Sequence, residues 1–215
     1  MTQSKTPHLA VRRITPSDRA VVTGILTTAF ARCPLLRWLY PEPDRYLRCF
    51  AGWLDHYAGD PYLRGNGVVY EGLEGALTWL DPEVPQDVSG LMSYMMRTVP
   101  ESHCGDVERV FEGFAEHHPS EPCWYFTMLG ADPYYQKRGL GEEIYRYGAS
   151  LTDQAGMLAY GETTSERAAQ IYERFGWEVI GEVQSGSSPP YFPMTRKPQN
   201  PPLKTAVILT GDEMV

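Results

Sequence analysis

The stretch Leu129-Gly-Ala-Asp-Pro-Tyr-Tyr-Gln-Lys-Arg-Gly-Leu-Gly141 holds the residue types that an anion-binding turn needs. Asp132-Pro133 turns the chain after an apolar run, and Gln136-Lys137-Arg138-Gly139-Leu140-Gly141 puts small and basic residues where a helical pattern begins. With no Cβ at Gly139 or Gly141, a phosphate can approach the first-turn N–H groups, which have no partner within their own helix. The helix dipole adds about half a positive charge there, and Lys137 and Arg138 add whole ones. This is the chemistry of a pyrophosphate clamp, with a glycine-containing turn before an ordinary helix as the plain alternative. The spacing is neither GxGxxG nor GxxxxGK[ST], so it matches neither the dinucleotide fingerprint nor the P-loop. Upstream, Gly130 predicts a bulge or a close backbone approach in the strand that leads into the turn.

The elements that must position this turn are legible from apolar periodicity. Residues 9–14 read as a first strand. Thr15-Pro16-Ser17-Asp18 reads as a helix start, with Thr15 as cap, Pro16 in the first turn and Asp18 complementing the dipole. Val22, Ile25, Leu26 and Ala29 form a helical stripe, and residues 44–57 predict a second long helix with Tyr46, Leu47, Phe50, Leu54 and Tyr57 on one face. Residues 67–71 and 75–80 predict a hairpin, and 86–118 a weakly patterned helical region interrupted at Pro100 and Gly105. Residues 123–129 are unbroken apolar and aromatic, which predicts a central strand covered on both faces. A helix over about 140–155, a strand over 157–163, a helix reaching Phe175 and strands over 177–183 and 191–196 complete an α/β pattern. Residues 204–210 read either as an added edge strand or as a tail.

Composition narrows the function classes. The chain has 215 residues, with 19 Lys and Arg against 27 Asp and Glu, for a net charge of −8 and pI near 5.1. No basic stripe offers a general source of affinity for nucleic acid, and the sign favours a cationic small molecule. Without an apolar run of about 18 residues, no membrane span is expected. The polar start, Met1 to Lys5, lacks an apolar signal core, which predicts a cytoplasmic protein. Cys33, Cys49, Cys104 and Cys123 are far apart with no CxxC, so free thiols are expected rather than disulfides or zinc. His117-His118 with Glu121 resembles a metal pair only superficially, because adjacent histidines point in different directions on a helix. No metal is expected.

Two motifs carry a resemblance. Gln136-Lys-Arg-Gly-Leu-Gly141 matches the (Q/R)xxGx(G/A) signature of the GNAT (Gcn5-related) N-acetyltransferases. Ala169-Gln-Ile-Tyr-Glu-Arg-Phe-Gly-Trp177 resembles that superfamily's second motif, a helix ending in Tyr-x-x-x-Gly-(Phe/Trp). Pro122-Cys-Trp-Tyr, Glu162-Thr and Met194-Thr-Arg-Lys-Pro198 look most similar to the puromycin N-acetyltransferase-like members. The resemblance spans roughly residues 8–198. It implies a single domain over 1–198 with 199–215 as a C-terminal tail or added edge strand. It also implies a mixed, mostly antiparallel twisted sheet, with a V-shaped splay between two parallel strands and helices on its flanks.

The activity so implied is acetyl transfer from acetyl-CoA to the primary amine of a small molecule, such as an antibiotic or another toxic amine. Backbone groups around Leu129, Gly130 and Ala131 would hold the pantetheine arm, in a slot opened by strands splaying past Gly130. The N–H groups of Gln136, Lys137, Arg138, Gly139, Leu140 and Gly141 would hold the pyrophosphate. Tyr172 would protonate the departing thiolate, since a phenol of pKa about 10 is protonated at neutral pH. It also falls on the stripe Ala168, Ile171, Tyr172, Phe175, so core packing explains its position equally well. Glu162 is the expected base, directly or through a water, or a counter-ion for the acceptor; a first-turn carboxylate before the next helix is the structural alternative. Thr163 and Glu166 read as a capping box for that helix. Many relatives carry Asn where this chain has Ala168, a contact that Ser165 either replaces or forgoes by capping. Trp38, Tyr40, Trp79 and Tyr125 could line an aromatic pocket, though with 12% aromatic residues most belong to the core. Acetylation of a protein amine, and a non-catalytic acyl-CoA sensor, are the competing readings. A monomer or homodimer is expected.

Overall fold

A computed structural model describes residues 10–136 and 138–205 in full, and 208–209 as backbone. Eight strands form one twisted sheet. They are β1 (Ala10–Arg13), β2 (Gly67–Tyr70), β3 (Gly75–Leu80), β4 (Trp124–Ala131), β5 (Ala159–Thr163), β6 (Trp177–Val179), β7 (Phe192–Arg196) and β8 (Ile208–Leu209). Their order is β6-β7-β5-β4-β3-β2-β1-β8. The β4–β5 and β1–β8 pairs are parallel and the other five antiparallel, so the expected mixed, mostly antiparallel sheet is present.

One face of the sheet is covered by α1 (Arg19–Ala29), α2 (Pro34–Leu39), α3 (Pro43–Tyr57), α5 (Val88–Thr98) and α6 (Cys104–His117), with the short α4 (Pro61–Arg64) nearby. The other face carries α7 (Leu140–Ala155) and α8 (Glu166–Glu173). In α3 the buried stripe is Tyr46, Phe50, Trp53, Leu54 and Tyr57; Leu47, expected on it, is 65% exposed, and Trp53 completes the inward face instead. The 86–118 region breaks at Pro100 alone, since Gly105 sits inside the first turn of α6. Asp18 accepts from the Thr15 N–H at 2.8 Å and pairs with Arg12 at 2.6 Å, which holds its carboxyl far below the usual carboxylate range.

β4 differs from its sequence reading in one consequential detail. Its register with β3 slips between Met128↔Thr78 and Phe126↔Trp79, which makes Thr127 the extra, bulged residue rather than Gly130. The Thr127 hydroxyl lies 2.9 Å from that of Thr78, so the two buried groups satisfy one another. Gly130 serves close approach instead: a Cβ there would stand 2.8 Å from the Ala29 Cβ and 3.1 Å from Leu26 Cδ2, on the helix that packs across β4. Gly130→Ala is therefore expected to cost about 1–3 kcal/mol by overpacking, read as a lower denaturant midpoint at unchanged slope. An unshifted midpoint would show that α1 yields at no cost.

Beyond β7 the chain is pinned to α7. Asp153 and Arg196 form a fully buried pair at 2.6 Å, and the Asp153 carboxylate also accepts from the N–H groups of Gln199 and Leu203. Every oxygen of that buried carboxylate thus has donors, as a charge removed from water requires.

Candidate active site

β4 and β5 pair only at Trp124↔Ala159, Tyr125↔Tyr160 and Phe126↔Gly161. Beyond that point each strand keeps its outer partner: β4 stays on β3 as far as Ala131, and β5 stays on β7 as far as Thr163. The two inner edges therefore diverge, and the splay begins three residues before Gly130, directly at the Thr127 bulge. A cavity of about 260 Å³ occupies the wedge and has walls from both sheet faces. Phe30, Leu35, Leu36 and Trp53 come from α1, α2 and α3, while Ala168, Tyr172 and Trp177 come from the α7–α8 side. Residues 86–118 do not line it; α5 packs behind α3.

Glu162 projects from β5 toward the helical face, half-buried at the cavity wall. The Tyr125 hydroxyl lies 2.9 and 2.7 Å from its two oxygens, and Tyr57 donates to Oε2 at 3.0 Å. Tyr57 and Tyr125 hydroxyls are 2.8 Å apart, and Tyr191 stands 3.3 Å from Tyr57. Each phenol has one proton, so these oxygens share fewer protons than contacts. Burial raises the Glu162 carboxyl to about 7, with the phenols, Tyr125 foremost, pulling the other way. Burial likewise holds Tyr57, Tyr125 and Tyr191 far above an ordinary phenol. The result is a proton acceptor poised near neutrality inside a cage of protonated tyrosines.

Tyr172 lies on the opposite face, in α8, with its ring 5.5 Å from Tyr145 and 6.1 Å from Trp177. Its ring packs against its neighbours and it also lines the cavity. Burial raises its hydroxyl to about 12 and keeps it a donor. The cap of α8 is Ser165, whose Oγ accepts from the Ala168 N–H at 3.2 Å. The expected Thr163–Glu166 capping box is absent because Thr163 ends β5, paired with Phe192.

The turn after β4 is internally braced. Asp132 N–H donates to the Glu74 carbonyl at 2.8 Å, Asp132 Oδ1 accepts from the Tyr134 N–H at 2.8 Å, and the Gln136 side-chain amide donates to the Ala131 carbonyl at 3.0 Å. Gly139 caps α7 at φ 83°, a left-handed conformation that suits glycine. A Cβ at either Gly139 or Gly141 would meet no atom of the described residues within 4 Å, so among them the space over the first turn is open. The Arg138 guanidinium lies over the rings of Tyr134 and Tyr135 at 5.6 and 5.5 Å. Glu142, which would oppose an anion there, is turned back onto Arg146 at 2.8 Å. Leu129 lines the cavity, while Lys137 lies outside the described residues.

Of the four aromatic residues read as a possible pocket lining, only Tyr125 reaches this site, through its hydroxyl on Glu162. Trp38 stacks on His103, Tyr40 bonds Thr98, and Trp79 packs beneath Arg13 on the other sheet face. Sequence reasoning missed the roles of Tyr57 and Tyr191 beside Glu162, since neither is near it in the chain. Among the described residues no group of His, Cys, Asp and Glu could hold a metal ion, and no helix is long and apolar enough to cross a membrane.

No protein-family model matches the chain. Among solved structures it resembles histone acetyltransferase HPA2 and related acetyltransferase from Corynebacterium glutamicum, at 24% identity and TM-score 0.62 over 89% of this chain and 97% of that one. It also resembles the polyamine N-acetyltransferase of Drosophila melanogaster, at 16% identity and TM-score 0.60 over 87% and 98%. Arylalkylamine N-acetyltransferase 2 of Aedes aegypti matches at 12% identity and TM-score 0.59 over 88% and 98%. The architecture is the fold of these acetyltransferases.

Proposed function

We propose that the chain is an acetyl-CoA-dependent N-acetyltransferase whose acceptor is the primary amine of a small molecule. The observation that carries this reading is the wedge between β4 and β5, with a carboxylate poised near neutrality on one face and a protonated phenol on the other. Likeness in fold to enzymes that act on polyamines and arylalkylamines supports it. The space over Gly139 and Gly141, open with respect to the described residues, suits the pyrophosphate of the co-substrate. The inner edge of β4 over Leu129, Gly130 and Ala131, which has no strand partner there, suits its pantetheine arm.

In the proposed reaction an ammonium entering from the α1–α3 side passes its proton to Glu162, directly or through a water, because a protonated amine has no lone pair. The freed nitrogen attacks the thioester carbonyl carbon. The N–C bond forms, and backbone N–H groups at the β4 bulge stabilise the oxyanion. As the intermediate collapses the C–S bond breaks, and the thiolate takes the proton of Tyr172. The extra proton on the acylated nitrogen passes, directly or through water, to the Tyr172 oxygen. Glu162 returns its proton to solvent, leaving a neutral amide and the starting side chains. The cover formed by α1, α2 and α3 favours a small acceptor over a protein surface, which would need a flat groove. Antibiotics and other toxic amines are the acceptors to try first, with a cytoplasmic site of action.

The direct test is release of free thiol from acetyl-CoA in the presence of an amine panel, with the acetylated product identified by mass. Binding of acetyl-CoA with no transfer to any amine would instead make the chain a sensor. Tyr172→Phe is expected to slow transfer about 10²-fold while acetyl-CoA affinity, followed by calorimetry, stays within about threefold. A parental rate would assign the ring to packing alone.

A further inference from the structure

Resting on that reading, we infer that the acceptor is a monoamine with an apolar body, and that di- and polyamines are excluded. Glu162 is the one charged side chain among the described residues lining the cavity. The hydroxyls of Tyr57, Tyr125 and Tyr191 converge on it or on one another, and Tyr57 and Tyr191 line the cavity beside it, which suits one ammonium through charge pairing with the carboxylate. Most of the remaining wall on the acceptor side is apolar, from Phe30, Leu35, Leu36 and Trp53, with Leu35, Leu36 and Trp53 each at most 4% exposed. Cys33 and Thr164 add a neutral thiol and hydroxyl, 3.6 Å apart. Trp53 stacks on Tyr57 at 4.5 Å, so the aromatic surface runs continuously from the carboxylate into the apolar wall. The spare carboxylates in this part of the sheet, Asp81, Glu83 and Glu121, line a separate hollow with Tyr125 and His118.

A second ammonium on the same molecule would therefore meet carbon and neutral thiol or hydroxyl groups, with no counter-charge to replace the water it gives up, a costly arrangement. An alkyl or aryl group in the same place buries apolar surface favourably. The cavity thus selects by charge count as well as by size.

Hexylamine and 1,6-diaminohexane have the same length and differ in one terminal charge, so they isolate this effect. With saturating acetyl-CoA at pH 8, kcat/KM for hexylamine is expected to exceed that for the diamine at least about 100-fold, with 2-phenylethylamine at or above hexylamine. Calorimetry of the same amines without co-substrate reads the preference independently of chemistry. Cys33→Asp, which places a second carboxylate at a half-buried position of the same cavity, is expected to narrow the turnover ratio at least about tenfold. Diamine turnover within threefold of hexylamine overturns the acceptor class and leaves acetyl transfer standing. If no amine releases thiol, acetyl transfer fails as the function, and the calorimetric ratio alone decides the acceptor class, equal affinities overturning it.

Discussion

Replacing Gly141 by aspartate is expected to weaken acetyl-CoA binding at least about a thousandfold while leaving the fold as stable as before or slightly more so. The two effects separate because of where the residue sits. Gly141 is in the first turn of α7, its backbone needs no left-handed conformation, and a new Cβ would touch no atom of the described residues within 4 Å. A carboxylate at the positive end of a helix favours folding by a few tenths of a kcal/mol up to about 1. The same carboxylate occupies the space over the first-turn N–H groups, where it meets the diphosphate with both bulk and like charge. Such a juxtaposition costs several kcal/mol, and about 1.4 kcal/mol is a factor of ten in affinity. Gly139 is the poorer test site, because its φ of 83° would strain any side-chain-bearing residue whatever the ligand does. Calorimetric titration with CoA beside thermal unfolding checks both halves. An affinity within threefold of the parent would remove the clamp from the proposed mechanism.

How legible the site was depended on how local its causes are. The helix start at Leu140 follows from the turn's own residue types and stands where the pattern places it, while the left-handed conformation of Gly139 before it is a finding of the structure. The apolar run ending at Leu129 identifies a central strand because burial on both faces leaves no alternation to read. The bulge was misplaced because glycine signals two things, a broken ladder and a close neighbour. Which one applies at Gly130 is decided by α1, a hundred residues earlier in the chain. Thr127 carries no local mark of a bulge, since its conformation is set by register against β3. The tyrosine cage is the most distributed feature: Tyr57 arrives on α3, Tyr125 on β4 and Tyr191 just before β7, and only the folded sheet brings their hydroxyls to Glu162. The capping of α8 slipped by two residues because Thr163 and Ser165 are equally good caps in sequence, and β-pairing claims the first.

Glu162→Gln is expected to do two opposite things, and their pH dependence distinguishes a base from a structural carboxylate. In activity, transfer falls about 10²–10⁴-fold near pH 7.5, where wild-type Glu162 is mostly ionised and the amine, with pKa near 10, mostly is not free. The deficit shrinks as pH approaches the amine's own pKa, because a free amine needs no base. A deficit of equal size at every pH would leave Glu162 with a binding role only. In stability the sign reverses. The carboxyl ionises near 4.5 when unfolded and near 7 when folded, so folding binds a proton between those values. The group's favourable contribution is complete below about pH 4.5 and is lost as pH rises through 7. For this half-buried side chain the loss is on the order of 1–3 kcal/mol. Glutamine has the shape of the protonated acid and carries no charge to desolvate, so the variant is expected to match the parent near pH 4.5 and to exceed it by that amount at pH 8. Chemical denaturation at both pH values measures the difference directly. A variant more stable and less active at pH 8 than the parent would show that burial holds Glu162 at the expense of the fold, only partly offset by the tyrosine hydroxyls, as a group kept ready for proton transfer must be held.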